Sequence, residues 1–339
     1  MPLHPLKFKP RLLEKMWGGR KFETVLGKPI PPNQNIGESW EVYDFPPGAV
    51  EGCKDWLSAE IAAGPLAGKT LHELVLQNPR ELLGDVKLVS PHGQFPILIK
   101  FLDAKEDLSI QVHPDQTYAA AHSDAFLKSE SWFIVQADPG SRLFKGLLPG
   151  TTPEAFKNSI TEGHCERLLN SVPVSAGECF YLPSGTVHAV GAGILAAEVQ
   201  TPSDTTFRVY DFNRIDPSTG KTRKLHVEQA LQCIHFAEQA PTPRPLAHVG
   251  ELQVPEKRLV SCEFFNLEDV RLPAGIDESI EYVRPVIWIV LEGHAEIRTD
   301  DLSEPTTLKR GETVLLPAVM KHPRLKTLTA CHWLEVSFP

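Results

Sequence analysis

Long apolar runs, paired cysteine motifs and basic clusters are all missing from this chain, and each absence closes off a class of protein. No window approaches the roughly 20 consecutive apolar residues that a bilayer-spanning helix needs, so no segment is expected to cross a membrane as a helix. The start, Met1-Pro2-Leu3-His4-Pro5-Leu6-Lys7-Phe8, interleaves charge and proline where an export signal would carry an apolar core, and a cytoplasmic location is the expectation. The six cysteines, Cys53, Cys165, Cys179, Cys233, Cys262 and Cys331, form no C-x-x-C pair and are too sparse in 339 residues for a disulfide framework. They read as reduced packing residues. A net charge of -9 with a pI near 5.8, and no clustered basic surface, argues against a nucleic-acid partner, whose phosphates demand one. An anionic small molecule is not excluded, because it needs only a few cations in a cleft.

What is present in quantity is punctuation. Thirty prolines and twenty-three glycines break up short apolar runs, the texture of many short strands joined by turns. Candidate strands are Phe95 to Phe101, Ser131 to Val135, Glu178 to Leu182, Val286 to Val290 and Thr313 to Leu316, which makes the chain all-β with minor helices. Thr152 before Pro153 and Glu154 reads as an N-cap with proline at the first helical position, opening a helix to about Ile160. Leu71, Leu74 and Val75 recur at helical spacing between Thr70 and Gln77, and Val227 to Ile234 reads as another short helix.

A chain of 339 residues and 37.6 kDa suits two domains. The alternate prolines of Gln239-Ala240-Pro241-Thr242-Pro243-Arg244-Pro245 favour an extended linker. The expected division is therefore a larger domain over 1–238, a proline-rich linker over 239–257 and a smaller β domain over 258–339. The smaller part carries an internal echo: Gly311-x5-Pro317 repeats the spacing of Gly177-x5-Pro183, and His322 follows Pro317 as His188 follows Pro183. Val319 stands where Gly185 would be, and Val286 to Leu291 has no polar pair, so the second copy is expected to have lost its site.

That site is the chemistry of the first copy. In Leu108-Ser109-Ile110-Gln111-Val112-His113-Pro114-Asp115, alternate residues of a strand share a face, so Gln111 and His113 can point together into a cavity. Gly177-x5-Pro183-x-Gly185-x2-His188 supplies a second imidazole at the end of a tight turn. Glu130, in Lys128-Ser129-Glu130-Ser131-Trp132-Phe133, is a carboxylate among apolar and aromatic residues, costly to bury unless paired or metal-bound. Taken singly, each has a plainer reading: a packed histidine, a solvated strand-end charge, an amide that zinc seldom uses. Together they are four donors of the kind a catalytic zinc takes while leaving a position open.

These residues, with Phe95-Pro96-Ile97-Leu98-Ile99-Lys100-Phe101-Leu102-Asp103-Ala104, the segment Gly177 to Gly193 and the run Glu198 to Phe212, resemble the type I phosphomannose isomerases of the cupin superfamily. Trp17-Gly18-Gly19 and Gly37-Glu38-Ser39-Trp40-Glu41 are similar to segments of the same family, and the likeness spans most of residues 1 to 235. The short interval between Lys128 and Gly177 is that of the compact bacterial form, without the helical insertion of longer relatives. The resemblance implies a cupin jelly-roll barrel followed by a degenerate cupin-like β domain without a metal site. It implies Zn2+ as cofactor, with Gln111, His113, Glu130 and His188 as its ligands. Arg208 corresponds to the arginine required for catalysis, and Lys128 and Asp204 match other active-site positions. The activity implied is interconversion of mannose 6-phosphate and fructose 6-phosphate.

Aldose-ketose isomerisation moves a proton between adjacent carbons through an enediol, so the site must stabilise oxyanion charge and handle protons. Arg208 offers a permanent cation whose planar fork suits an enediolate or phosphate oxygen, and Asp204, four residues earlier, is placed to orient it or relay a proton. Lys100 and Ser109 are the candidates for the substrate phosphate, as a point charge and a hydroxyl donor. The group taking the carbon-bound proton stays open among Lys128, Asp204, Glu198 and a metal-bound water. Gly191-Ala192-Gly193 lacks a full nucleotide-binding pattern, and Lys221-Thr222-Arg223-Lys224 reads as a solvated basic face. The rival functions are a non-catalytic sugar-phosphate-binding regulatory cupin, against which the intact set of Lys128, Asp204 and Arg208 counts, and an iron oxygenase, which Gln111 in place of a histidine disfavours.

Overall fold

The computed structural model of the chain describes residues 3–87, 92–216, 219–237, 256–280 and 282–339. Period-two burial organises it. In the strand Leu98–Ala104, Leu102 and Ala104 join one apolar cluster while Ile99 and Phe101 join another on the opposite face. The strand Ile194–Gln200 does the same, with Ile194 and Ala196 on one side and Leu195, Ala197 and Val199 on the other. Both faces are covered, which is why these strands carry apolar residues on both sides, interrupted only by Lys100, Asp103, Glu198 and Gln200, without the alternation of a half-solvated sheet.

The two strands pair in a six-stranded sheet that runs Cys179–Leu182, Glu130–Ala137, Ile194–Gln200, Leu98–Ala104, Arg11–Gly19, Ile36–Val42. A five-stranded sheet, Leu169–Pro173, Arg142–Leu147, His188–Val190, Ile110–Val112, Phe207–Tyr210, closes over its inner face. Leu143 and Val190 of the smaller sheet meet Trp132, Ile134 and Leu102 of the larger one. The result is the jelly-roll barrel the sequence leads one to expect. Outside the five-stranded sheet, the helices Pro153–Thr161 and Val227–Cys233 seal its back through Phe156, Ile160 and Ala230.

A second pair of sheets follows. Six strands, Leu6–Lys7, Thr313–Leu316, Val286–Glu292, Cys331–Ser337, Asn266–Leu272 and Glu256–Ser261, face four, Asp277–Ser279, Arg324–Thr327, His294–Arg298 and Thr306–Lys309. The two six-stranded sheets stack outer face to outer face, Phe101, Phe133 and Val199 of the first sharing a cluster with Ile287, Ile289, Leu334 and Val336 of the second. Leu6 pairs with Leu315, so the beginning of the chain completes the last sheet. Inside this second barrel Trp288 and Trp333 stack with centroids 4.6 Å apart, and Val286, paired with Leu316 as Glu130 is paired with Leu182, stands where the carboxylate would. His322, the echo of His188, lies on the surface with 77% of its side chain exposed.

Local signals set most element ends. Thr152 accepts a hydrogen bond from the Ala155 amide and Pro153 opens the helix, as its sequence predicts. Thr70 and Glu73 form a reciprocal capping box at the helix Leu71–Gln77. The strand expected from Phe95 begins at Leu98 and runs on to Ala104; Pro96 has no N–H to give a ladder. Three short α-helices escape the sequence reading, Lys21–Thr24, Pro79–Leu83 and Gln116–Ala121, the last capped by Asp115 through the Tyr118 amide at 2.8 Å. The linker expected over 239–257 falls largely outside the described residues.

Candidate active site

A polar cavity of about 260 Å³ lies inside the first barrel, lined from both sheets. Its floor follows from strand register. His188 pairs with Gln111, and Gln111 with Arg208, on neighbouring antiparallel strands, so the three stand side by side. The strand carrying Gln111 ends at Val112, and His113 is the first residue beyond it, still buried. From the facing sheet, Glu130 projects inward on the same face as Trp132 and Ile134.

His113, Glu130 and His188 thereby bring one donor atom each within 4.8 Å of one another. Glu130 Oε1 lies 3.1 Å from His188 Nε2, and Oε2 lies 3.4 Å from His113 Nε2. The Gln111 amide nitrogen lies 3.5 Å from His188 Nε2, and turning the amide over sets its oxygen there instead. Both rings have their other nitrogen engaged: His113 Nδ1 donates to the Thr205 carbonyl and His188 Nδ1 to the Thr186 carbonyl, each at 2.9 Å. That fixes the tautomer that leaves each Nε2 lone pair aimed at the shared centre. Burial, and then the Lys128 charge, bring the His113 ring down to about 3, so it is neutral, the state a ligand requires.

The carboxylate behaves correspondingly. Burial alone would raise Glu130, but the Lys128 ammonium and the two imidazoles outweigh it and hold the group well below the usual carboxylate range. Both its oxygens and His113 Nε2 are buried without a hydrogen-bond partner. Buried polar atoms are almost always satisfied, and orphaned atoms of a carboxylate and an imidazole that converge beside a second imidazole nitrogen are what a divalent cation satisfies. The donor set fits zinc.

The turn that delivers His188 depends on one glycine. Gly185 has φ +82°, and the His235 ring packs against it so closely that a Cβ would stand 2.7 Å from ring atoms. The Gly185 amide donates to the His113 carbonyl at 3.0 Å, tying the two histidine segments together.

Around the donors, charges come in pairs. Lys128 Nζ is 3.2 Å from Glu130, Lys100 Nζ is 3.4 Å from Glu198 and Lys15 Nζ is 3.0 Å from Glu38. Burial and the Glu130 charge push Glu198 up to about 8, whereas for Glu38 burial is overcome by Lys15 and Lys100, leaving it at about 2. Lys100 is raised against its own burial by Glu198 and Glu38. Asp204 lines the same cavity, raised by burial and by Glu38. Arg208 is held by neutral groups: its Nε donates to Ser109 Oγ at 3.2 Å and its Nη1 to the Lys224 carbonyl at 3.1 Å. Ser109 and Lys224 therefore orient Arg208, the task foreseen for Asp204. Ser109 in turn reaches the Gln111 amide at 3.5 Å.

All nine residues singled out from sequence thus lie in or beside one cavity: Gln111, His113, Glu130, His188, Lys100, Ser109, Lys128, Asp204 and Arg208. Other polar lining residues carried no role in that reading, namely Lys15, Glu38, Glu51, Thr206, Arg223 and His226. Glu38 was legible in part, since an acidic residue two before a buried tryptophan on one strand shares its face, and its carboxylate accepts the Trp40 indole N–H at 2.7 Å. Arg223 corrects the reading of its segment, because it lines the cavity while Lys221 and Lys224 stay exposed.

Comparisons with known proteins agree with this geometry. The family model for phosphomannose isomerase type I, catalytic domain, matches residues 6–131. The chain is 34% identical over 320 residues to the mannose-6-phosphate isomerase of Streptococcus mutans, covering 94% of this chain and 93% of that one. The crystal structure of the mannose 6-phosphate isomerase from Bacillus subtilis superposes with a TM-score of 0.85 at 30% identity, covering 99% of this chain and 100% of that one. A zinc-bound mannose 6-phosphate isomerase shares the fold, with a TM-score of 0.72 at 18% identity, over 99% of this chain and 100% of that one.

Proposed function

The chain belongs to the type I phosphomannose isomerase family and has its mannose-6-phosphate isomerase activity, and we propose that it works as a zinc enzyme that interconverts mannose 6-phosphate and fructose 6-phosphate through an enediol. The observation that carries the metal reading is the convergence of buried oxygens and a nitrogen from Glu130 and His113, none of them hydrogen-bonded, on the Nε2 of His188. Gln111, His113, Glu130 and His188 would hold the ion. A zinc ion there would supply Lewis-acid polarisation of the substrate oxygens without a change of oxidation state.

The chain's own groups supply the rest. In the forward direction the proton on C2 of the aldose leaves and a proton arrives at C1, while the hydrogen on the O1 and O2 pair is redistributed; the enediol is the species between. Arg208, a cation with neutral partners, suits the anionic oxygens of substrate and intermediate. Lys128 and Asp204, on the cavity wall, are the candidates for moving protons, with Glu198 beside them. Ser109 remains a donor for a phosphate oxygen. The Lys100 ammonium is already shared between Glu198 and Glu38, which suits it better to steadying those carboxylates than to meeting a dianion.

A coupled assay with mannose 6-phosphate tests the zinc reading. Prolonged chelation is expected to remove at least about 95% of turnover, and stoichiometric zinc to restore it. Full activity in protein shown by elemental analysis to be free of divalent metal would defeat the reading.

A further inference from the structure

The outer rim of the cavity holds a group of cations that the chemistry so far leaves unused. Arg223, which lines the cavity, sets one edge of its guanidinium on Asp211, Nε to Oδ2 at 2.7 Å and Nη2 to Oδ1, which leaves Nη1 outside that pairing. Asp211 is itself buried and its carboxylate also receives Arg214 Nη2, while Arg214 Nη1 donates to the Asp107 carbonyl and Nε to the Asp211 carbonyl. One carboxylate therefore serves two guanidiniums, and Arg208, lining the same cavity, has no carboxylate paired with it among the described residues. Glu51 on the rim and Glu106, 3.9 Å from Arg214, temper this excess without pairing with Arg208 or Arg223.

Deeper in, the balance is reversed. Lys100 and Lys128 each face a carboxylate already, and Glu38, Glu198 and Asp204 line the wall around them. A dianion directed there would meet lysines already engaged by carboxylates, whereas at the rim it meets guanidiniums whose fork geometry matches its oxygens. The rim cations also act on one another: burial, followed by the Arg223 charge, lowers Arg208 to about 10, a like-charge cost that an anion between them would remove.

We propose that Arg223, steered into the cavity by Asp211, grips the phosphate of the hexose phosphate together with Arg208, and that this contact is what favours phosphorylated over free sugar. It rests on the isomerase reading of the cavity. Asp211 is a positioning residue, since both of its oxygens are spent on arginines and neither is free for substrate.

The test uses the full-length, zinc-loaded protein and two probes, mannose 6-phosphate as substrate and inorganic phosphate as competitive inhibitor. Arg223→Ala is expected to raise KM for mannose 6-phosphate by about tenfold or more and to weaken inhibition by inorganic phosphate in proportion, with kcat changed by less than about threefold and zinc content unchanged. Arg223→Lys is expected to recover part of the phosphate affinity, as a point charge without the fork. Asp211→Asn should shift both constants in the same direction by less. If Arg223→Ala is too unstable to assay, Arg223→Lys and Asp211→Asn carry the comparison through the phosphate inhibition constant. A residue that merely staples its segment would lower Tm and leave that constant alone. An unchanged inhibition constant and KM in a protein with wild-type turnover overturns the proposal while leaving the isomerase reading intact. A wild-type protein that turns over no hexose phosphate overturns that reading instead, and calorimetric binding of inorganic phosphate to wild type and Arg223→Ala still decides whether the rim holds the anion.

Discussion

Glu130→Gln is expected to strip the protein of its zinc and to lower kcat/KM by about 10³-fold or more. Glutamine is nearly isosteric, so the backbone has no reason to move; what changes is charge. Glu130 is the single anion among the four donors, and its oxygens stand 3.1 Å from His188 Nε2 and 3.4 Å from His113 Nε2. The amide replaces one of them by an NH2 that can only donate. It also deprives Lys128, 3.2 Å away and 3% exposed, of its counter-ion. A buried charge left alone costs about 3–5 kcal/mol, so a fall in Tm should accompany the loss of metal. Elemental analysis, the coupled assay and a thermal melt on one preparation read all three. A variant that keeps one zinc per chain and stays within about tenfold of wild-type kcat/KM would refute the role given to this carboxylate.

Arg208→Ala is expected to produce the complementary result, a loss of about 10²–10³-fold in kcat/KM with zinc retained. Arg208 is no donor to the metal. It reaches the donor set only through Ser109, whose hydroxyl lies between the guanidinium and the Gln111 amide. Removing it deletes a half-buried cation whose partners are a hydroxyl and a carbonyl, so little in the fold depends on it electrostatically. Arg208→Lys should recover little, because one ammonium cannot reach both Ser109 and the Lys224 carbonyl while also facing the substrate. Loss of zinc in Arg208→Ala would show that the residue holds the site together; activity within about threefold of wild type would show that it does little there. The contrast with Glu130→Gln separates metal binding from charge stabilisation.

Much of this arrangement is legible in the sequence, and the reasons are local. The four donors stand out because a strand alternates its faces and because a glycine-proline turn ending in histidine is an unusual way to close one. The helices that could be read carry their caps next to them in sequence, as Thr152 and Thr70 do. Asp115, by contrast, caps the helix Gln116–Ala121 from inside the metal motif, and the motif hides it. The pairing of Leu6 with Leu315 has no signal at either end, since a two-residue strand gains its partner only after the last sheet has formed.

The charges around the cavity are the hardest to read. Lys15, Glu38 and Arg223 each look like an exposed polar residue until the partner that turns it inward is known: Glu38 for Lys15, Trp40 for Glu38, Asp211 for Arg223. Those partners lie from two to twenty-three residues away, and apart from Trp40, which shares a strand face with Glu38, they meet only once neighbouring segments have folded together. Arg223 is the sharpest case. Its neighbours Lys221 and Lys224 are exposed, and nothing in a run of basic residues says which one will turn round.

The central claim is that Gln111, His113, Glu130 and His188 share one zinc ion, and anomalous diffraction at the zinc edge from turnover-competent crystals reads it directly. The account predicts one strong peak within about 2.0–2.2 Å of both histidine Nε2 atoms and of a Glu130 oxygen, with the Gln111 amide oxygen turned towards it. A fully active crystal with no peak among these side chains, or with its zinc elsewhere in the chain, would contradict it.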